Sequence, residues 1–168
     1  MRRIVVLGCS GSGKSTLSRR LGARLGLPVV HLDALYWAPG WTPRPLDEFR
    51  ARVATAVSGD GWVCDGGYSN THDLRFPFAD TVIWLDRPRA LCLWRVVLRW
   101  LGHLGRTRVD MGEGCPEKID LEFVAFIWNW RRVSRPKIEA SLARYAPDTP
   151  RIVLTSDRDV DRFLKSLN

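Results

Sequence analysis

Residues 8–15 read Gly-Cys-Ser-Gly-Ser-Gly-Lys-Ser, and nothing else in the chain constrains its fold as tightly. The spacing Gly-x-x-x-x-Gly-Lys-Ser is that of a phosphate-cradling P-loop. Before it, Arg3-Ile4-Val5-Val6-Leu7 is a short apolar, β-branched strand candidate. After it, Thr16 to Leu25 reads as an amphipathic helix. Strand, glycine loop, helix is the context the motif needs. Glycines let consecutive backbone N–H groups curl around a phosphate. The helix N-terminus adds partial positive charge and unpaired donors. The motif therefore assigns Gly8, Ser10, Gly11, Ser12, Gly13 and Thr16 to the phosphates of ATP. Lys14 is assigned to the β- and γ-phosphates and to catalysis, and the Ser15 hydroxyl to Mg²⁺. A dinucleotide-binding loop is excluded, because Gly11-Ser12-Gly13 is followed by Thr16 where a third glycine should stand.

The 168 residues are read as one domain, with enough chain for a real core. The net charge of +8 points to an anionic partner: a nucleotide, another phosphorylated molecule or nucleic acid. Cys9, Cys64, Cys92 and Cys115 show no metal or CxxC spacing and read as reduced residues of a cytoplasmic protein. No charged-then-apolar leader opens the chain, and the longest apolar stretch, Phe123 to Trp128, is far too short to span a bilayer. The expectation is a soluble cytoplasmic enzyme with no membrane partner.

Strand candidates lie at Ile4–Leu7, Val29–Leu32, Trp62–Cys64, Val82–Leu85 and Ile152–Leu154. Helical patterns lie at about 14–25, 46–57, 89–102, 120–146 and 158–167. This alternation predicts an α/β fold: a five-stranded parallel sheet with helices on both faces. Residues 102–117, rich in Gly, Arg and Asp, form a long loop, and the lid-like insertion is set at 103–119.

Ligands of such sheets bind at the carboxyl ends of the strands. Asp33 follows the second strand and Asp65 the third. Asp65, after Trp62-Val63 and before Gly66-Gly67, is a Walker-B-like candidate for Mg²⁺. Asp33 is assigned to the substrate. Asp86, ahead of Arg87-Pro88, reads as a helix cap. Helix 89–102 is apolar nearly all round, as a buried helix is. Arg95 and Arg99 share one face of it; Arg131 and Arg135 repeat the spacing in the later helix, and Arg106 and Arg108 lie between. Arg95 is assigned to ATP, Arg99, Arg131 and Arg135 to charge neutralisation in transfer, and Arg106 and Arg108 to the substrate. Trp84, Trp94, Trp100, Trp128 and Trp130 read as core. Trp37 and Trp41 stand just beyond Asp33, where they stack on a ring or pin the loop. His31, His72 and His103 read as structural.

The segments Leu27-Pro28-Val29-Val30-His31-Leu32-Asp33, Trp37-Ala38-Pro39-Gly40-Trp41, Asp65-Gly66-Gly67-Tyr68-Ser69, Arg106-Thr107-Arg108 and Gly114-Cys115-Pro116-Glu117-Lys118 join the P-loop in a wider pattern. With it, essentially the whole chain resembles the adenylate-kinase-related proteins labelled DNA topology modulation proteins. The resemblance implies a P-loop kinase fold of the nucleoside monophosphate kinase group, using ATP and Mg²⁺. It places Asp65-Gly66 at the third strand tip, Arg95 and Arg99 on the helix into the lid, and Arg131 and Arg135 on the helix leaving it. Adenylate kinases proper carry Asp-Gly-Phe-Pro-Arg where this chain has Asp65-Gly66-Gly67-Tyr68-Ser69. The nearest arginine is Arg75. Tyr68 and Arg75 are therefore assigned to the acceptor.

Three readings follow, in order. The first is a nucleoside monophosphate kinase-like phosphotransferase, moving the γ-phosphate of ATP to a small nucleotide. The second is a kinase for a hydroxyl-bearing small molecule, favoured by Asp33 and by a likeness to shikimate kinases at that point. The third, least favoured, is a nucleotide-switched DNA-binding regulator, prompted by the +8 charge.

Overall fold

The central strand of the main sheet is the one that feeds the P-loop. The computed structural model describes residues 1–102, 114–116 and 119–167. Strand β1 (Arg3–Gly8) runs into helix α1 (Lys14–Leu25), and β2 (Val29–His31) runs into the short α2 (Leu32–Tyr36). A two-residue hairpin, β3 (Trp37–Ala38) with β4 (Thr42–Pro43), leads to α3 (Leu46–Ala56). Then come β5 (Trp62–Asp65), a 3-10 turn (Ser69–Thr71) and α4 (His72–Arg75). The chain continues through β6 (Thr81–Leu85), α5 (Arg89–Gly102), α6 (Leu121–Tyr145), β7 (Arg151–Leu154) and α7 (Asp157–Lys165).

Strands β2-β5-β1-β6-β7 form one sheet in that order, and every pair in it is parallel. Strands β1, β5 and β6 are buried on both faces, which is why they read as continuous apolar runs, while the edge strand β7 keeps Arg151 and Val153 exposed. Along β1, Ile4 and Val6 join one core cluster with Leu17, Leu21 and Ile83. Val5 and Leu7 join the other with Phe49, Trp62 and Ile127. Each such side chain is worth about 1.5–3 kcal/mol when fully buried. All five strands fall where the sequence placed them. The hairpin, α2 and α4 are too short for any periodicity to reveal.

Helix ends follow local chemistry. Gly26 closes α1 in the left-handed region at φ 65°. The Asp120 carboxylate accepts the Phe123 N–H at 2.8 Å and starts α6. Ser156 and Asp159 form a capping box on α7.

Two expectations need correction. Helix α5 is not buried all round: Trp94, Val97, Leu98 and Leu101 are exposed, with Trp94 at 60%. An all-apolar helix carries no sequence signal for which face is covered. Of the tryptophans read as core, Trp84 and Trp130 are buried, Trp94 and Trp128 are exposed, and Trp100 is half-buried. Among the described residues, no helix is long and apolar enough to cross a membrane. Most of the 103–119 insertion, with Arg106 and Arg108, lies outside the described residues. Its far end, Gly114–Pro116, meets the hairpin: Gly40 N–H donates to the Gly114 carbonyl at 2.9 Å and Trp41 Nε1 to the Pro116 carbonyl at 2.9 Å.

His72 gives a pH prediction. It is buried, its Nε2 lies 2.8 Å from the Gly67 carbonyl, and its ring stacks on Phe76. Burial first, then the Arg75 charge, pulls its pKa from 6.5 down to about 4. Between those values the unfolded chain binds a proton that the folded chain refuses. Stability is therefore full above pH 6.5 and falls as pH drops toward 4. Melting temperature measured across that window should decline in the native chain, and the slope should be shallower in His72→Gln.

Candidate active site

The strand tips open onto a cavity of about 1250 Å³, lined from the P-loop to the hairpin. One bound small molecule occupies about 300–1,000 Å³, so this space suits a donor and an acceptor together.

The P-loop forms its floor. Residues 8 and 10–16 all line the cavity. Gly11 sits at φ 78° with its α-carbon against α5; a Cβ there would lie 2.3 Å from the Cys92 carbonyl oxygen. Gly13 precedes α1 at φ 98°. Both positions need glycine, so the loop's curl is built into the sequence. Lys14 Nζ donates to the Cys9 carbonyl at 2.9 Å, across the base of the loop. An ammonium carries three N–H donors, so two stay available for phosphate oxygens.

On the β6 and β7 side the charge is positive. Asp157, at the start of α7, accepts from Arg87 Nη2 at 2.9 Å and from Arg95 Nη2 at 2.7 Å. The shared carboxylate holds both guanidinium groups beside the P-loop. Arg95 Nη1 also reaches the Ser12 carbonyl at 3.5 Å. Arg87 and Arg99 line the cavity as well. Arg87, Arg95 and Asp157 thus form one unit that joins the ends of β6 and β7.

On the β2 and β5 side the charge is negative. His31 and Asp65 are register partners on neighbouring strands. His31 Nδ1 lies 2.9 Å from Asp65 Oδ1, and since the carboxylate accepts, the ring nitrogen donates. Asp65 is 5% exposed, and its Oδ2 has no hydrogen-bond partner among the described residues. A buried carboxylate oxygen left unsatisfied in a cavity that a P-loop serine also lines suits Mg²⁺ or its water shell. The donor set thus fits the metal assigned to Ser15 and Asp65. His31, read as structural, fixes the direction of that carboxylate.

Asp33, in the first turn of α2, also lines the cavity. The Tyr68 hydroxyl donates to Asp33 Oδ1 at 2.6 Å. Burial, then the Asp33 charge, pushes the Tyr68 phenol well above its usual range, so it stays a donor. Tyr68 takes a left-handed backbone at φ 33°, an uncommon conformation for a non-glycine residue. Its ring packs on Tyr36 at 4.9 Å and Phe49 at 5.1 Å, and Trp37 packs on Trp41 at 5.4 Å.

Three arginines assigned to the site are elsewhere. Arg75 is fully buried, and the cavity lining excludes it. Its Nε donates to Thr71 Oγ1 at 3.3 Å and its Nη2 to the Gly67 carbonyl. The four-residue α4 turns it inward, under the loop that carries Tyr68. Arg131 Nη2 and Arg135 Nη1 both bind the Asp86 carboxylate, at 2.6 and 3.0 Å. Asp86 thus ties α6 to the start of α5 and does not act as a plain cap.

This architecture can be matched to known proteins. A shikimate kinase from Acinetobacter baumannii, solved with shikimate, superposes with a TM-score of 0.60 at 16% identity, over 99% of this chain and 91% of that one. The fold is that of the P-loop kinases. A gluconokinase from Sinorhizobium meliloti gives a TM-score of 0.52 at 16% identity, over 99% of this chain and 89% of that one. In sequence, 60 residues are 40% identical to a shikimate kinase of Paramagnetospirillum magneticum, 36% of this chain and 30% of that protein. The chain spans less than a third of the length of the curated relatives it matches. No protein-family model matches it.

Proposed function

We propose that the chain is an ATP-dependent kinase that phosphorylates a hydroxyl group on a small acceptor. The observation that carries this is Asp33, a carboxylate held by Tyr68 in the same cavity as a complete P-loop. The fold and the short shikimate kinase match support the phosphotransferase class. A carboxylate beside the acceptor repels a nucleoside monophosphate, whereas it orients a hydroxyl and takes its proton. The nucleotide-acceptor reading also loses Arg75, which lies in the core.

The residues divide the work. The P-loop N–H groups and Lys14 bind the phosphate tail. Arg95 and Arg87, held by Asp157, face the donor end. Ser15 and Asp65 would hold Mg²⁺, which when bound neutralises charge on the β- and γ-phosphates. Asp33 accepts the hydroxyl proton as the acceptor oxygen bonds to the γ-phosphorus, and ADP departs with the bridging oxygen. Tyr68, protonated, keeps Asp33 in place.

The bond formed tests the reading. Incubation with γ-labelled ATP and a pool of cell metabolites should give a labelled phosphomonoester, stable to brief hot acid and released by alkaline phosphatase. Label that hot acid frees as a phosphoanhydride would restore the nucleotide-acceptor reading.

A further inference from the structure

The cavity is polarised by the strand order. From the β6 and β7 side come Arg87 and Arg95. From the β2 and β5 side come Asp33 and Asp65, and the start of α6 adds Asp120 and Glu122 to the lining. Helix α6 packs against α4 and the 3-10 turn that follow β5, and against α5, so it bridges the two halves. The acidic half is also the aromatic half. Tyr36, Trp37 and Trp41 reach it from the segment after β2, Tyr68 from the loop after β5, and Phe123 and Phe126 from α6. Phe123 and Phe126 lie nearly parallel, at 12°, with Phe126 45% exposed. Trp37 and Trp41 stand edge-to-face at 69°.

Such faces recognise flat rings by offset or edge-to-face contact, with centroids about 4.5–7 Å apart. The carboxylates add a sign to that preference. They attract a cation, tolerate a neutral polar group and repel an acid. Aromatic faces attract cations too. From this arrangement we infer that the acceptor is a ring-bearing hydroxyl compound without an acidic group, uncharged or cationic. The inference rests on the kinase reading for the word acceptor, but the recognition it describes stands on the cavity alone. It also separates this chain from a pocket built for an acid such as shikimate, even though the fold is shared.

Binding and transfer are measured separately. The full chain is loaded with Mg²⁺ and a non-hydrolysable ATP analogue, then titrated calorimetrically with four probes. Adenosine is the neutral ring, 2-amino-1-phenylethanol the cationic ring, and shikimate and AMP are the acids. Adenosine or the amino alcohol should bind at least tenfold more tightly than either acid. Asp33→Asn should narrow that gap several-fold while leaving affinity for the ATP analogue unchanged. Phe126→Ala, a partly exposed position, should weaken the ring probes without changing the melting temperature. Acids binding as tightly as the other probes, or no ring probe binding at all, would overturn the inference. γ-Labelled ATP then decides the kinase reading independently. Selective binding of neutral or cationic rings without any transfer sinks the kinase reading and leaves the inference standing. Transfer to an acidic hydroxyl compound does the reverse.

Discussion

Lys14→Ala is expected to lower phosphoryl transfer by about 10²–10³-fold or more, the range for removing one preorganised charge donor from a transition state. The side chain is suited to so large an effect. It lies on the cavity wall, so its loss opens no hole in the core. Its hydrogen bond, Nζ to the Cys9 carbonyl, is to a backbone group that water can satisfy. The variant should therefore melt within a few degrees of the native chain while turnover collapses. Single-turnover rates with saturating ATP, set beside thermal melts, separate the two quantities. Normal turnover in a folded Lys14→Ala protein would remove the P-loop from the mechanism.

The P-loop was legible in the sequence because everything it needs is contiguous. An apolar strand, glycines at fixed offsets and a helix start lie within residues 3–25, and each owes its geometry to its neighbours in the chain. The inner strands β1, β5 and β6 were legible for a related reason: burial on both faces leaves unbroken apolar runs. Contacts across the sheet were not. His31 meets Asp65 only because β2 pairs with β5 in one register, 34 residues apart in sequence. Nothing near His31 announces that partner. Arg87, Arg95 and Asp157 meet through the β6–β7 pairing for the same reason.

Helix faces were the other blind spot. Arg75 lies on a helix of one turn, where periodicity cannot say which side faces inward. Arg131 and Arg135 were correctly seen to share a face. Their partner, Asp86, lay 45 and 49 residues away, under a cap signature that local chemistry makes equally reasonable. In α5 the apolar residues run all round, so the same letters that suggest a buried helix also describe one with Trp94 and Leu98 in solvent. Fold was thus readable from local pattern, and the β2 and β5 end of the cavity was not, because it is assembled from segments that only tertiary structure joins.

Asp33→Asn should lower turnover by about 10²–10⁴-fold, the usual contribution of a general base, with ATP affinity nearly unchanged. The sequence alone ranked the nucleotide-acceptor reading first, with Arg75 assigned to the acceptor. The structure shifts the weight. Asn keeps the shape and an oxygen for the Tyr68 hydroxyl, which donates at 2.6 Å in the native chain, so position is retained while the proton acceptor is lost. Tyr68→Phe, which removes only the positioning bond, should cost less than Asp33→Asn and raise the acceptor KM along with the fall in kcat. Arg75→Met should behave differently from both. Its guanidinium is buried under the Gly67 carbonyl, so the cost appears in thermal stability and, through the displaced Tyr68 loop, in both kinetic constants together. The comparison is read as kcat and KM for the acceptor in each variant, with melting temperature alongside. A mild Asp33→Asn defect beside a raised KM in a stably folded Arg75 variant would return the acceptor to the nucleotide class, because it would mean that an arginine, and not a carboxylate, meets the acceptor.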